Sequence, residues 1–378
     1  MKCVKALGLL PAFIIVGLMR ALYPWVKIRV GEIWAFRLGH LVGNTECYLC
    51  ERDAGMHKMH IDFFYSRGPS AHPLIEKKYR AQLHTLPAWL GRLVVIVNRL
   101  FEHSGRFEIG PQQVDRDINN LWEKHGPHLS FTDAEEREGK RLLKSLGIPD
   151  GAKWACLIVR DSEYLKQNHR DGDYSYHDYR DSDISNYVAT CRSLIHHGYY
   201  VIRMGKVAAK RLPIRNRWVI DYPFHRRESD FGQLYLGAKC AFCFGASTGF
   251  MAIPQVFLRP TAVVNFAPLE YISTWCRGIV IWKHHMKDGK RMTLKEIFES
   301  GAGQYLSAKQ FQEANIRLVE NNPQEIHDAV MELESGVSDE VQVDFWSRFP
   351  FTLYPVNQKP LHGRPRVRVG RKFLEGYQ

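Results

Sequence analysis

Between residues 154 and 266, short apolar runs alternate with single helical stretches, and this alternation restricts the possible folds more than any other feature of the chain. The runs 154–159, 200–204, 218–220, 240–244 and 261–266 read as strands, with helices expected over 184–197, over 231–237 and from about Gly249. Strands joined through single helices pair in parallel by right-handed crossovers, which gives a doubly wound open α/β sheet. In such a sheet, ligands bind beyond the carboxyl ends of the strands.

The preceding stretch is less regular. Residues 27–36 read as a first strand, a helix is expected from near Asn44, residues 61–65 form a second strand, and 92–97 fit a third strand or part of a helix. Thr132-Asp-Ala-Glu135 is a capping box ahead of a helix running to Leu146, and the Gly147 to Gly151 stretch ends it. At 378 residues the chain is long enough for two domains. The expected division is a membrane-associating segment over 1–26, a Rossmann-like domain over 27–150, a second over 151–335, and a basic aromatic tail over 336–378. Residues 294–333 read as helices. The tail, with Arg364, Arg366, Arg368, Arg371 and Lys372, is expected to pack back on the first half.

Lys2 and Lys5 precede an apolar run over 6–19 that Pro11 interrupts and Arg20 ends. The run is too short to span a bilayer comfortably. With Tyr23, Trp25 and Lys27 beside it, it reads as a helix lying in a membrane surface, a signal anchor being the alternative. A net charge of +12 favours anionic partners. No nucleic-acid module accompanies the charge, so nucleic acid is not expected as a partner. Several of the eight cysteines lie inside apolar runs, which suits a reducing compartment. The expected location is the cytoplasm, at the inner face of the cell membrane. Cys47 with Cys50 and Cys240 with Cys243 have zinc half-site spacing, but Cys240-Ala-Phe-Cys243 reads as a strand that points its two thiols to opposite faces, and no zinc site is expected.

The stretch 229–264 parses as helix, strand, small-residue turn, helix and strand. Its turn, Ser247-Thr248-Gly249, opens a helix whose backbone N–H groups suit a diphosphate, and Gly249 allows close approach. This stretch resembles the donor segment of GT-B glycosyltransferases, including heptosyltransferases. The whole chain is similar to glycosyltransferases of bacterial surface-polysaccharide gene clusters. Arg37-Leu-Gly39-His40-Leu-x-x-Asn44-Thr-Glu46, Tyr179-Arg180-Asp-Ser-Asp183 and the Gly198 to Gly205 stretch also carry the resemblance. It implies two Rossmann-like domains facing a cleft, with a nucleotide-sugar as co-substrate in the C-terminal half. The acceptor would be a glycan or lipid-linked precursor. Arg37, Gly39, Asn44, Tyr179 and Arg180 would fall on the acceptor side or on loops, with Gly39 and His40 in a loop after the first strand.

Arg160 and Arg203 stand at predicted strand ends, where an arginine fork binds a pyrophosphate and offsets charge on the departing nucleotide. Gly205 and Lys206 adjoin Arg203. His40 suits a base for the acceptor hydroxyl, with Glu46 orienting it or acting in its place, and Asp183 is a further acidic candidate. Asp171-x-Asp173 and Asp181-x-Asp183 mimic the metal-binding D-x-D of GT-A enzymes, whose architecture differs, and Asp181 and Asp183 also fit a helix cap. No metal or other cofactor is therefore expected. The absence of G-x-G-x-x-G after the first strand, of a Walker lysine and of G-x-S-x-G argues against a dehydrogenase, a P-loop NTPase and an α/β-hydrolase. The expected activity is metal-independent, inverting sugar transfer. The alternatives are transfer of a pyruvyl, phosphoglycerol or sialyl-type group on similar architecture, or a non-catalytic nucleotide-binding scaffold.

Overall fold

The computed structural model describes residues 9–101, 105–109, 117, 119–161, 163, 175–272, 277–336, 345–346 and 367–377. Its contacts divide the chain into unit 1, Met1–Asp115 with Leu121–Leu129, and unit 2, Arg116–Asn120 with Ser130–Gln378. The division precedes the boundary expected near 150. The helix Asp133–Ser145 groups with unit 2 because Gly139 lies against the ring of Tyr235, whose hydroxyl donates to Glu136 at 3.2 Å.

Unit 1 runs α1 (Leu10–Leu22), β1 (Lys27–Ile33), α2 (Leu38–Asp53), β2 (His60–Ser66), α3 (Pro73–Arg80), β3 (His84–Thr85), α4 (Ala88–Phe101) and α5 (Trp122–His125). The three strands are parallel in the order β1-β2-β3. Val30 of β1 also bridges Glu108 in parallel. The segment over 92–97 resolves as helix, inside α4.

The apolar N-terminal run does form a helix, but not a separate one. Ala12, Val16 and Met19 of α1 pack on Val30, Tyr65, Val94, Val97 and Phe107, while Leu10, Phe13, Ile14, Leu18 and Leu22 remain exposed. No helix among the described residues is long and apolar enough to cross a membrane.

Unit 2 runs α6 (Asp133–Ser145), β4 (Lys153–Ile158), α7 (Val188–His196), β5 (Tyr199–Arg203), β6 (Val219–Asp221), α8 (Asp230–Lys239), β7 (Phe242–Ala246), α9 (Ala252–Val256), β8 (Thr261–Phe266) and β9 (Gly278–Trp282). There follow β10 (His284–Lys287), β11 (Lys290–Arg291), α10 (Leu294–Glu299), α11 (Ala308–Glu313), β12 (Ile316–Val319), α12 (Pro323–Glu334), β13 (Arg368–Val369) and α13 (Arg371–Glu375). The expected capping box at Thr132 is present. The expected strands recur within a residue or two, but the region over 294–333 is not all helix. Its short strand β12 pairs with β10 in a small antiparallel sheet.

The main sheet is parallel, in the order β13-β9-β8-β7-β4-β5-β6. Counted from β4 as its first strand, β4 to β9 follow the doubly wound order 3-2-1-4-5-6, which reverses direction between strands 1 and 4. Those two strands are β4 and β7.

The described part of the tail extends the main sheet of unit 2. β13 pairs with the edge of β9, and Phe373 of α13 meets the buried Trp282 with ring centroids 4.9 Å apart. The edge of β9 offers unpaired backbone groups that a further strand satisfies. Arg368 and Lys372 reach Glu332 and Asp328, whereas Arg364 and Arg366 lie outside the described residues.

Gly245 of β7 has φ of +129°, and a side chain there would run into the carbonyl of Ile158 on β4. Gly289, at +75°, faces open space. Gly245→Ala is expected to lose more than about 3 kcal/mol of stability, combining backbone strain with overpacking, against about 1 kcal/mol for Gly289→Ala. Urea unfolding of the two variants checks this.

Candidate functional site

The strand order reverses between β4 and β7, and beyond the carboxyl ends at such a point is where a doubly wound sheet takes its ligand. Arg160 and Asp161 follow β4, and Ser247, Thr248 and Gly249 follow β7. Thr248 has extended backbone, and its buried hydroxyl has no hydrogen-bond partner. Gly249–Met251 is a 3-10 turn leading into α9, shorter than the helix opening expected from the sequence.

A second 3-10 turn, Ser175–Arg180, brings Arg180 to this point, where its guanidinium donates to the Ser247 carbonyl at 2.9 Å. Arg160 Nε lies 3.3 Å from Asp181 Oδ1, yet neither atom makes a hydrogen bond. Lys283, buried directly after β9, donates to the Asp181 backbone carbonyl at 2.5 Å. Burial lowers the Lys283 pKa against the raising effect of Glu320 and Asp181. Burial also pushes the Asp181 carboxyl up to about 6, although Arg160 opposes the shift. Glu320 anchors the segment after Asp181, accepting from the Asp183 N–H at 2.9 Å and from Asn186 at 3.2 Å. The strand ends thus bring Arg160 and Lys283 to Asp181, with Arg180 on the neighbouring Ser247 turn.

Several expected site residues are engaged elsewhere. Arg203 is 1% exposed and faces Asp221 at 3.3 Å and Asp161 at 3.6 Å, with the Lys210 carbonyl as a further acceptor, so it ties loops together rather than facing a ligand. Gly205 is gripped by Gln233, which donates to its carbonyl at 2.8 Å, and Lys206 pairs with Asp230 at 2.5 Å. Asp183 is exposed and caps the turn Ile184–Tyr187, accepting from the Ser185 N–H at 2.9 Å. Asp181 and Asp183 therefore face different partners and form no D-x-D pair, while Asp171 and Asp173 lie outside the described residues. The Tyr179 ring packs on Phe311.

In unit 1, α2 starts at Leu38 rather than near Asn44, so Gly39 and His40 form its first turn instead of a loop. Leu41 to Cys50 are all buried, and that apolar enclosure extends the helix past the residue types that suggested a later start. Arg37 precedes the helix, exposed and without a capping bond. His40 stacks edge-on against Trp34 at 5.2 Å, and its Nδ1 is buried without a partner, as is Oδ1 of Asn44 one turn on. Glu46 does not orient His40. It is fully buried, accepting from the His128 N–H at 2.9 Å and from the Tyr79 hydroxyl at 3.0 Å.

The proton affinity of Asp181 and the roles of Lys283 and Glu320 have no local sequence signal. Asp181 reads only as a cap or metal motif until β9 brings Lys283 beside it.

Unit 2 is thus a doubly wound parallel α/β sheet with cations and a hydroxyl turn at its reversal point. No protein-family model matches the chain, and no curated protein matches it. Among solved structures it is similar to the Escherichia coli ADP-heptose lipopolysaccharide heptosyltransferase II, at 11% identity and a TM-score of 0.40 over 76% of this chain and 99% of that one. It is also similar to a family 9 glycosyl transferase from Veillonella parvula, at 9% identity and 0.43 over 68% and 86%. A third is the Escherichia coli heptosyltransferase WaaC with ADP-2-deoxy-2-fluoro heptose, at 14% and 0.37 over 76% and 100%. With TM-scores below 0.5, these are likenesses of arrangement, and the chemistry has to rest on this chain's own residues.

The Asp181 proton supplies a check. Because the folded chain holds it more tightly than the unfolded one, stability falls as pH rises from the ordinary carboxyl value of 3.8 through about 6. Asp181→Asn removes that slope, and the variant unfolds at higher denaturant than the wild type above pH 6, as measured by urea titration across the window.

Proposed function

We propose that the chain is a glycosyltransferase that takes its sugar from a nucleotide-activated donor held in unit 2, with the acceptor, a glycan or lipid-linked precursor, held by unit 1. The reading is carried by the meeting of Arg160, Arg180, Lys283 and the Ser247 to Gly249 turn beyond the reversal point of the sheet. A diphosphate there would take charge-assisted hydrogen bonds from the arginines and from the unpartnered Thr248 hydroxyl. As the sugar leaves, negative charge grows on the nucleotide diphosphate, and fixed cations favour that state over the intact donor.

The acceptor hydroxyl attacks the anomeric carbon in one displacement that breaks the bond to the diphosphate oxygen and inverts the centre. His40, whose buried Nδ1 has no partner in the folded chain, is the proposed proton acceptor in unit 1. The arginines take the charge-offsetting part that a metal plays in other sugar transferases, so transfer is expected to survive EDTA.

The reading also places the protein at the inner face of the cell membrane. Exposed Leu18 (55%), Leu100 (69%) and Phe101 (61%) lie on the packed pair α1 and α4, Phe13 meeting Phe101 at 6.2 Å, and Trp25 is 77% exposed nearby in the chain. A net charge of +12 favours an anionic surface. Leu18→Glu with Leu100→Glu is expected to release the protein from vesicles containing anionic lipid, as measured by co-sedimentation, while its circular dichroism stays unchanged.

Thermal-shift titration with uridine, guanosine, adenosine, cytidine and thymidine nucleotides and their sugars tests the donor site. One base is expected to raise the melting temperature. Arg180→Ala and Arg160→Ala should each weaken that nucleotide about tenfold or more, the loss of one charge-assisted hydrogen bond. Arg203→Ala should lower stability instead. A failure of every nucleotide to bind overturns the reading.

A further inference from the structure

Glu46 and Cys50 lie four residues apart on α2 and so stack on one helix face, where both side chains are fully buried. His128 is delivered to the same point by the segment after α5. Its Nδ1 lies 2.9 Å from Glu46 Oε1 and 3.9 Å from Cys50 Sγ, and Cys50 Sγ lies 3.9 Å from the same carboxylate oxygen. The three are mutually within reach of one ion. A triangle with those sides has a circumradius of about 2.1 Å, within the range of zinc bonds to carboxylate, imidazole and thiolate.

Three surrounding features suit an ion. His128 turns its other nitrogen, Nε2, to Asp53 Oδ2 at 2.9 Å, the outer carboxylate that commonly orients a metal-bound imidazole. Tyr79 donates to Glu46 Oε2 at 3.0 Å, which leaves Oε1 turned inward. Gly126 stands beside the cluster, where a side chain would come within 2.8 Å of Glu46 Oε1 and 3.7 Å of Cys50 Sγ. The missing side chain leaves room for a water as fourth ligand.

We propose that Glu46, Cys50 and His128 form a divalent transition-metal site, with zinc as the best-matched ion for a mixed carboxylate, thiolate and imidazole set. The ion fastens the segment carrying His128 to α2. Binding releases two protons to solvent, one from the Cys50 thiol and the one shared by Glu46 and His128 Nδ1, and leaves Nε2–H bonded to Asp53. The site belongs to unit 1 and is separate from the donor residues of unit 2, so it does not bear on the metal independence proposed for transfer. The sequence spacing pointed instead to Cys47 as the partner of Cys50. Cys47 accepts from the Trp122 indole at 3.3 Å.

The test uses the full chain, stripped with chelator and titrated with zinc and with cobalt(II). One equivalent is expected to bind, zinc is expected to raise the melting temperature, and the cobalt form is expected to show a near-ultraviolet sulfur-to-metal charge-transfer band. Cys50→Ser should abolish the band and Cys47→Ser should keep it. Asp53→Asn, at an exposed position, should weaken zinc about 10- to 100-fold without altering the fold. Failure to take up one equivalent overturns the site, as does a charge-transfer band that survives in Cys50→Ser. An unchanged zinc affinity in Asp53→Asn, a variant that does not depend on surviving loss of a buried side chain, also overturns it.

Discussion

In β4, β7 and β8 nearly every residue is buried, so each backbone N–H and C=O there must be satisfied by a neighbouring strand. The parallel ladder that does this forces the chain to travel back over the sheet between strands, which is why helices follow β4, β6 and β7 or their loops. It also puts the carboxyl ends of these strands, with the residues that follow them, along one edge. Where strands approach most closely there is no room for a side chain: Gly245 and Gly278 take positive φ beside the carbonyls of Ile158 and Thr261. The ladder therefore dictates both the position of the candidate site and the need for these glycines.

At that edge the electrostatics are strained in a particular way. Arg160 and Asp181 stand at ion-pair distance without a hydrogen bond, Lys283 is buried among backbone carbonyls, and Thr248 keeps an unpartnered buried hydroxyl. Buried polar atoms left in this state cost free energy until something pairs with them. In the donor complex proposed above, anionic diphosphate oxygens would pair with Arg160 and the Thr248 hydroxyl. The supports behind this set are firm by contrast: Asn265 and Asn321 each accept from the other's N–H at 2.6 Å and hold the end of β8 to the start of α12.

Unit 1 handles its buried charges in two ways. Arg29 and Asp62 form a two-pronged pair at 2.8 and 2.6 Å, completed by Tyr48, a closed arrangement with no atom left over. Glu46 instead sits among a thiol, an imidazole and a phenol, the first two being the partners proposed to share a cation with it. The same unit leaves apolar side chains of α1 and α4 exposed beside those that form its core.

Local pattern was enough for the alternation of strands and helices in unit 2, the capping box at Thr132, the helix at the N-terminus, and the hydroxyl turn at Ser247, because each depends on residues a few positions apart. Arg160 was legible for the same reason, as a cation directly after an apolar strand. Arg203 was legible as a strand-end cation but not as a buried one, since its partners Asp161 and Asp221 are contributed by other loops. The early start of α2 came from its enclosure by the rest of unit 1. Only the tertiary structure joined Asp181 to Lys283, 102 residues on, and Cys50 to His128, 78 residues on. Periodicity, caps and turn chemistry are set by neighbours along the chain, whereas proton affinity and ligand geometry are set by neighbours in space, which strand order and helix packing decide.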